Sequence, residues 1–368
     1  MIKIPQANLP LQFKDLEKEI FKKWQKILAS GHYLRGSEVD VFEKSFAKFC
    51  QVKYAHLVAS GTDALLLALE IAGVTKGDEV ITPSFTFVSS AISIARLGAK
   101  PIFVDIDPFT FNIDVQQIEK AITKKTKVIL PVHLYGNPCK IEIILKIAKK
   151  HKLKVIEDAS QAPGALFSQK PVGSFGDLAT FSFYPTKNLG SFSDSGAITT
   201  NNSVYKKRLS ILANYGFKTK YISSILGYNS RIDSLQAAWL STHLKHIKKW
   251  NRKRRYLAKR YLKFLKHLPL VLPKETPDSY HVYHAFTIRT PYRESLKKYL
   301  AASRISTAVY YPMPIHRQPA FKDQHNLKLP ESEKASREVL SLPIYPQMKL
   351  KEQDYVIQAI NKFFERKK

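Results

Sequence analysis

Between residues 54 and 200 the chain alternates between short apolar runs and longer stretches whose apolar residues return every three or four positions. The runs fall at 54–59, 79–82, 101–104, 128–132, 154–157, 179–183 and 197–200. That rhythm predicts strands of a largely parallel sheet covered by helices, an α/β fold. Upstream, 12–29 has helical spacing with Leu16, Ile20, Trp24 and Ile27 on one stripe, and a second helix begins beyond Asp40. Near Leu244 the character changes. Leu244, Ile247, Leu257, Tyr261, Phe264 and Leu268 mark the apolar stripe of a long helix, followed by a polar stretch at 273–278 and shorter strand-like and helical segments to Phe364. The pattern divides the chain into a large sheet domain with amino-terminal helices, 1–245, and a smaller carboxy-terminal lobe, 246–368.

Composition alters this picture little. At 368 residues, 44% hydrophobic and 24% charged, the chain has the balance of a folded globular protein. Cys50 and Cys139 lack the spacing of metal or redox motifs, so they read as inert thiols in a reducing cytoplasm, and no metal site is expected. Residues 1–8 have no signal-type apolar core, and no apolar run reaches the roughly 18 residues of a membrane span, so neither secretion nor a membrane partner is expected. The formal net charge of +29 invites a nucleic-acid partner. Its distribution argues otherwise, because lysines are spread along the whole chain and the densest block, 248–255, lies in the long helix, where it reads as a solvated face. No zinc-finger spacing, helix-turn-helix signal or RNA-binding aromatic pair accompanies the charge, so no nucleic acid is expected. The same field would draw in an anionic substrate.

Three places carry candidate chemistry. After the first run comes Ser60-Gly61-Thr62-Asp63 and then a helix apolar almost all round. The backbone N–H groups of Gly61 and Thr62, with a Ser60 or Thr62 hydroxyl, suit a phosphate at the helix start; an ordinary Ser or Thr cap gives the same sequence. Asp158 ends the run at 154–157, where open α/β sheets place ligands, and either holds a protonated ring nitrogen or caps the following turn. Gln161 stands on the same side, for a ring substituent or for solvent. Lys187 follows an apolar strand and Pro185, with Gly190, Ser191, Ser193 and Ser195 keeping the next loop small. A lysine among apolar or cationic neighbours loses its proton readily and attacks an aldehyde. In that chain order, phosphate cradle, carboxylate and lysine meet the needs of a pyridoxal phosphate enzyme.

These blocks, with Gly77-Asp78-Glu79-Val80-Ile81, Val104-Asp105-Ile106-Asp107, Pro131-Val132-His133-Leu134-Tyr135-Gly136, Gly227-Tyr228-Asn229-Ser230-Arg231, Tyr310-Tyr311-Pro312-Met313-Pro314-Ile315-His316 and Leu342-Pro343-Ile344-Tyr345-Pro346, resemble the DegT/DnrJ/StrS sugar aminotransferases over nearly the whole chain. The resemblance implies the aspartate-aminotransferase fold, fold type I, in a homodimer with active sites built at the subunit interface. It implies that Lys187 forms the internal aldimine, Asp158 pairs with the pyridinium nitrogen, Gln161 contacts the ring hydroxyl and Phe87 stacks on the ring. Ser60, Gly61, Thr62 and Ser182 would hold the phosphate, joined by Asn229 from the partner subunit. The implied reaction moves an amino group from glutamate, through the pyridoxamine form, to a 3-keto or 4-keto deoxyhexose on a nucleoside diphosphate, for amino sugars of a surface polysaccharide or glycosylated product. Tyr184, Lys218, Lys220, Tyr310, Tyr311 and His316 fall in segments that line the sugar side in similar proteins. Two other readings stand beside this one: a related sugar dehydratase, which carries histidine at the lysine position, and a non-catalytic basic regulator on the same fold. One departure concerns the loop after the lysine, where Ser193-Asp194-Ser195-Gly196 replaces the family's common Gly-Glu-Gly-Gly.

Overall fold

The computed structural model describes residues 3–367. All seven apolar runs are strands: β1 (Tyr54–Val58), β2 (Glu79–Pro83), β3 (Lys100–Val104), β4 (Thr126–Ile129), β5 (Lys154–Asp158), β6 (Leu178–Ser182) and β7 (Gly196–Thr200). They form one sheet in the order β1-β7-β6-β5-β4-β2-β3, parallel from β6 through β3, with β7 antiparallel between β1 and β6. Most strand positions are buried, as expected for a sheet covered on both faces, which is why the strands read as continuous apolar runs rather than alternating ones.

Two helices precede the sheet, α1 (Leu9–Ser30) and α2 (Ser37–Phe49). Both start earlier than their apolar stripes. The Asn8 side chain caps α1 by accepting from Leu11 N–H, and Glu38 and Asp40 complement the dipole at the start of α2. Next comes α3 (Gly61–Ile71), which buries Ala64, Leu65, Leu67, Ala68, Leu69 and Ile71 and so packs on nearly all sides. A fourth helix, α4 (Ser89–Arg96), follows β2.

The carboxy-terminal part has its own antiparallel pair, β8 (Phe286–Arg289) with β9 (Val339–Leu342), flanked by helices Arg293–Ala302 and Leu350–Glu365. Its core holds Leu257, Tyr261, Phe286, Leu340, Ile360 and, from the other end of the chain, Ile4, which bridges to Ile305.

The expected long basic helix is two helices, Ser234–Leu244 and Ile247–Leu265. The second enters both cores, Ile247 and Trp250 packing with α1 and α2 and Leu257 onward packing in the carboxy-terminal cluster. The basic block is also less solvated than its composition predicts. Trp250, Asn251 and Arg254 are buried, while Phe264, assigned to the apolar stripe, is 39% exposed. Asn251 and Arg254 bury because each bonds main-chain carbonyls of neighbouring loops, a partnership invisible to hydropathy.

Beneath the strand ends lies a buried charge. Glu157 accepts from the N–H groups of Gly173, Phe175 and Gly176 and from His133 Nε2 at 3.0 Å. Cys139 N–H donates to His133 Nδ1, so the imidazole is neutral and its proton sits on Nε2. Burial pushes the Glu157 carboxyl up, but these donors outweigh it and hold it below its usual range. Glu157→Ala strands all four donors and is expected to lower stability by about 3–5 kcal/mol, read as a lower urea midpoint. Because the folded value lies below the unfolded one, the carboxylate's contribution is present at neutral pH and fades as pH falls through the folded value.

Candidate active site

The carboxyl ends of β1, β2, β5 and β6 open onto one edge of the sheet, the place where such folds bind ligands. At the end of β1, Ser60 is extended and its Oγ accepts from Asp63 N–H at 3.0 Å, so the cap reading of this serine is realised. The N–H groups of Gly61 and Thr62 have no intrahelical acceptor and stand at the positive end of α3. Gly61 is a glycine for want of space, since a Cβ there would lie 2.6 Å from Ser182 Cβ at the end of β6. That leaves a backbone cradle for an anion, with Ser182 on its far wall.

Thr62 Oγ1 shares a hydrogen bond with Ser89 Oγ at 2.9 Å, and Ser90 Oγ donates to Asp158 Oδ2 at 3.0 Å. The first turn of α4 therefore links the cradle to the carboxylate. Asp158 is 5% exposed, and its Oδ1 also accepts from Ser160 N–H at 3.1 Å. Turn cap and ligand group are thus compatible, one oxygen for each. Its backbone is pinned too, because Asp158 N–H donates to Pro131 O and His133 N–H donates to Asp158 O. Gln161 Oε1 takes Tyr135 N–H at 2.7 Å and its Nε2 donates to the Tyr311 hydroxyl at 3.0 Å.

Lys187 reaches the same cleft from the turn after β6, where its N–H donates to Tyr184 O. Burial pushes its ammonium down to about 8, against the Asp158 carboxylate, which pulls it up. His284 lies beside it, and burial with the charges of Lys187 and Arg254 holds that imidazole well below its usual value, hence neutral.

The cleft has a volume of about 590 Å³. It gathers Ser60, Gly61, Thr62, Ser182, Asp158, Gln161 and Lys187, as the sequence predicts. Phe87 stands half-exposed in its wall, 6.0 Å from the Tyr311 ring, and Tyr184 and Tyr310 line it as well.

Four expected residues are elsewhere. His316 is fully buried between Ser84, at 2.7 Å, and Glu333, at 3.2 Å, tying the carboxy-terminal part to the foot of the loop that carries Phe87. It cannot touch a ligand there. Lys218 and Lys220 sit on an exposed hairpin, Phe217–Thr219 with Ile222–Ser223, outside the cleft wall. Asn229 is exposed and accepts from Arg231 Nε, away from this chain's own cleft.

Sequence reasoning missed Ser89, Ser90, Thr186 and His284, all in the wall. Ser89 and Ser90 directly follow the 84–87 block and begin a helix, a signal that was legible. His284 had none, being one of two histidines in His281-Val282-Tyr283-His284. Asp194, noted as a departure, also lines the cleft.

Residues 14–361 match the model of the DegT/DnrJ/EryC1/StrS aminotransferase family. The chain belongs to this family. Among its relatives it is 45% identical to the pleiotropic regulatory protein of Geobacillus stearothermophilus, over 98% of each chain. It is 46% identical to the dTDP-3-amino-3,6-dideoxy-α-D-galactopyranose transaminase of Aneurinibacillus thermoaerophilus, over 94% of this chain and 96% of that one. Of solved structures, DesV of S. venezuelae in complex with a ketimine intermediate superposes with a TM-score of 0.97 at 40% identity, over 99% of each chain. The fold is that of these aminotransferases.

Proposed function

We propose that this member of the DegT/DnrJ/EryC1/StrS family is a pyridoxal-phosphate-dependent transaminase that moves an amino group from glutamate to a keto-deoxyhexose of a nucleoside diphosphate. The observation that carries it is the meeting, in one cleft, of an anion cradle, a buried carboxylate and a lysine whose ammonium is pushed down to about 8. The residues fit pyridoxal phosphate. Gly61 and Thr62 N–H with Ser182 would hold the phosphate, Phe87 and Gln161 the ring, Asp158 the ring nitrogen and Lys187 the aldehyde carbon. When bound, the cofactor supplies an acceptor for the amino group and a ring that stores the electron pair of a broken C–H bond.

The chain's own part is proton handling and orientation. Near neutral pH a useful fraction of Lys187 Nζ is unprotonated, so it takes a proton from carbon and returns one without leaving the cleft. Asp158, fixed by Ser90 Oγ and Ser160 N–H, offers a preformed negative charge. Gln161 is held by Tyr135 N–H and Tyr311, so its amide cannot rotate away. Retention of lysine counts against the dehydratase reading, and the joint presence of Lys187, Asp158 and Gln161 supports catalysis even though one relative is named as a regulator.

Position 3 of the sugar is the better-supported acceptor, since a relative at 46% identity is named for a 3-amino sugar. A homodimer is supported by the exposed Tyr221, Ile222 and Leu226 on and beside the hairpin of Lys218 and Lys220, with Asn229 exposed nearby. A second copy against that face would bring these residues to a neighbouring cleft. Cytoplasmic residence is supported by the two free, buried cysteines; among the described residues no helix is long and apolar enough to cross a membrane.

The test supplies glutamate with dTDP-linked 3-keto and 4-keto 6-deoxyhexoses and follows 2-oxoglutarate. Release with the 3-keto sugar is expected. Release with the 4-keto sugar alone corrects the position, and release with neither contradicts the reading.

A further inference from the structure

Along the outer face of the helix Ile247–Leu265 runs a row of cations that its own neighbours leave unneutralised. Nine of the 19 residues are Lys or Arg and none is Asp or Glu. At 3.6 residues per turn, Lys248, Arg252, Lys259, Lys263 and the C-cap Lys266 fall within roughly 60° of the helix circumference, in a row about 27 Å long. All five are exposed, while the opposite side, with Trp250, Leu257 and Tyr261, is buried in the two cores. Among the described residues the helix makes two ion pairs, Arg255 with Glu275 and Arg260 with Asp354, and neither uses a member of the row.

Local physics does not favour such a row. Lys248 and Lys249 occupy the first turn, where the macrodipole is positive and no acidic residue stands. Lys248 with Arg252, and Lys259 with Lys263, place like charges four residues apart, where a solvated helix gains from opposite ones. An external anionic surface offsets both penalties. Two exposed aromatics punctuate the face, and each is covered by its own cation: Lys253 lies 5.3 Å from the Tyr256 centroid and Lys263 lies 5.4 Å from that of Phe264. Rings with a face taken in this way are poor platforms for stacked bases, and no Asn, Gln or Ser faces outward from the helix to read a base edge. A straight row with aromatic bodies beside it suits instead the plane of charged lipid headgroups.

We propose that this face docks the protein on an anionic bilayer surface, by electrostatic adsorption without insertion. The apolar side of the helix is committed to the protein's cores and has nothing to lend to the bilayer interior, so attachment is reversible and salt-sensitive. No member of the row lines the catalytic cleft, and the contact leaves its wall intact.

The experiment sediments the cofactor-loaded protein with sucrose-filled vesicles of phosphatidylcholine, alone or with about 30% phosphatidylglycerol, at low and at physiological salt. Wild type is expected to partition onto the anionic vesicles at least about tenfold more strongly than onto phosphatidylcholine alone, and to come off as salt rises. Arg252→Gln with Lys259→Gln and Lys263→Gln is expected to weaken that partition by about 100-fold, since each cation near such a surface is worth roughly fivefold. All three side chains are exposed and unpaired, so the thermal midpoint of this variant should match that of wild type. A control removes the same charge elsewhere, with Lys120→Gln, Lys124→Gln and Lys125→Gln on the exposed stretch before β4. Its partition should stay within about threefold of wild type, because charges more than a Debye length from the contact are screened.

The proposal is overturned if wild type sediments equally with both kinds of vesicle, or if the control loses as much as the row variant, which would make net charge alone responsible. It is also overturned if a mixed-sequence DNA duplex strips the protein from the vesicles at equal phosphate concentration, which would make nucleic acid the partner. The assay needs no keto sugar, so its outcome is independent of the transaminase reading.

Discussion

Lys187→Ala is expected to abolish amino transfer, with turnover falling on the order of 10⁴-fold or more while the fold persists. Two roles are lost together. Among the described residues, Nζ is the only amine the cleft wall supplies, and it is also the group placed to move a proton between carbon centres. Its burial sets the pH range in which it works. An ordinary lysine titrates near about 10.4, so under one part in a thousand is free base at neutral pH, whereas a group at about 8 has roughly a tenth in that form. Amine reactivity of wild type should therefore rise as pH climbs through about 8 and level off above it. A profile still rising through 10 would mean that the lysine is not desolvated as the structure has it.

Asp158→Asn is the second large effect, with an expected loss in kcat of about 10²–10³-fold. The substitution separates the two uses of this residue. Asparagine can still accept Ser160 N–H, and Ser90 Oγ can turn to accept from the new amide, so the turn survives. What disappears is the negative charge. If Asp158 served only to cap the turn, Asn would be nearly silent. A second signature follows from the same charge, because Asp158 pulls the Lys187 ammonium up. Its removal should move the Lys187 limb of the pH profile to lower pH, so a smaller kcat accompanies an earlier rise.

The main sheet was legible in the sequence for a physical reason. Strands covered on both faces have no polar side to show, and each is therefore a continuous apolar run between helical stretches. Their ends were less legible. The chain past Ile129 leaves the sheet at Pro131, which has no N–H to donate, yet Val132 still bridges to Asp158. The cleft residues that the resemblance named on β1, β5 and β6 meet as expected, because strand ends on one edge of a parallel sheet must meet.

Residues that act through long-range partners were not legible. Ser90 matters because it bonds a carboxylate 68 positions away, and His316 proved to be a buried tie between Ser84 and Glu333 rather than a wall of the sugar site. Arg254 was hidden in a run of basic residues that looked solvated. Its burial depends on the carbonyls of 283, 284 and 344, which no local pattern reveals. Lys218, Lys220 and Asn229 lie outside the cleft of a single chain.

Absorption of the protein loaded with pyridoxal phosphate, recorded before and after excess glutamate alongside released 2-oxoglutarate, tests transamination at this site most directly. The lysine-bound cofactor band should be lost in step with one equivalent of 2-oxoglutarate and return when the keto sugar is added, and Lys187→Ala should show neither event. A band that glutamate leaves unchanged, or the same cycle in Lys187→Ala, would contradict it.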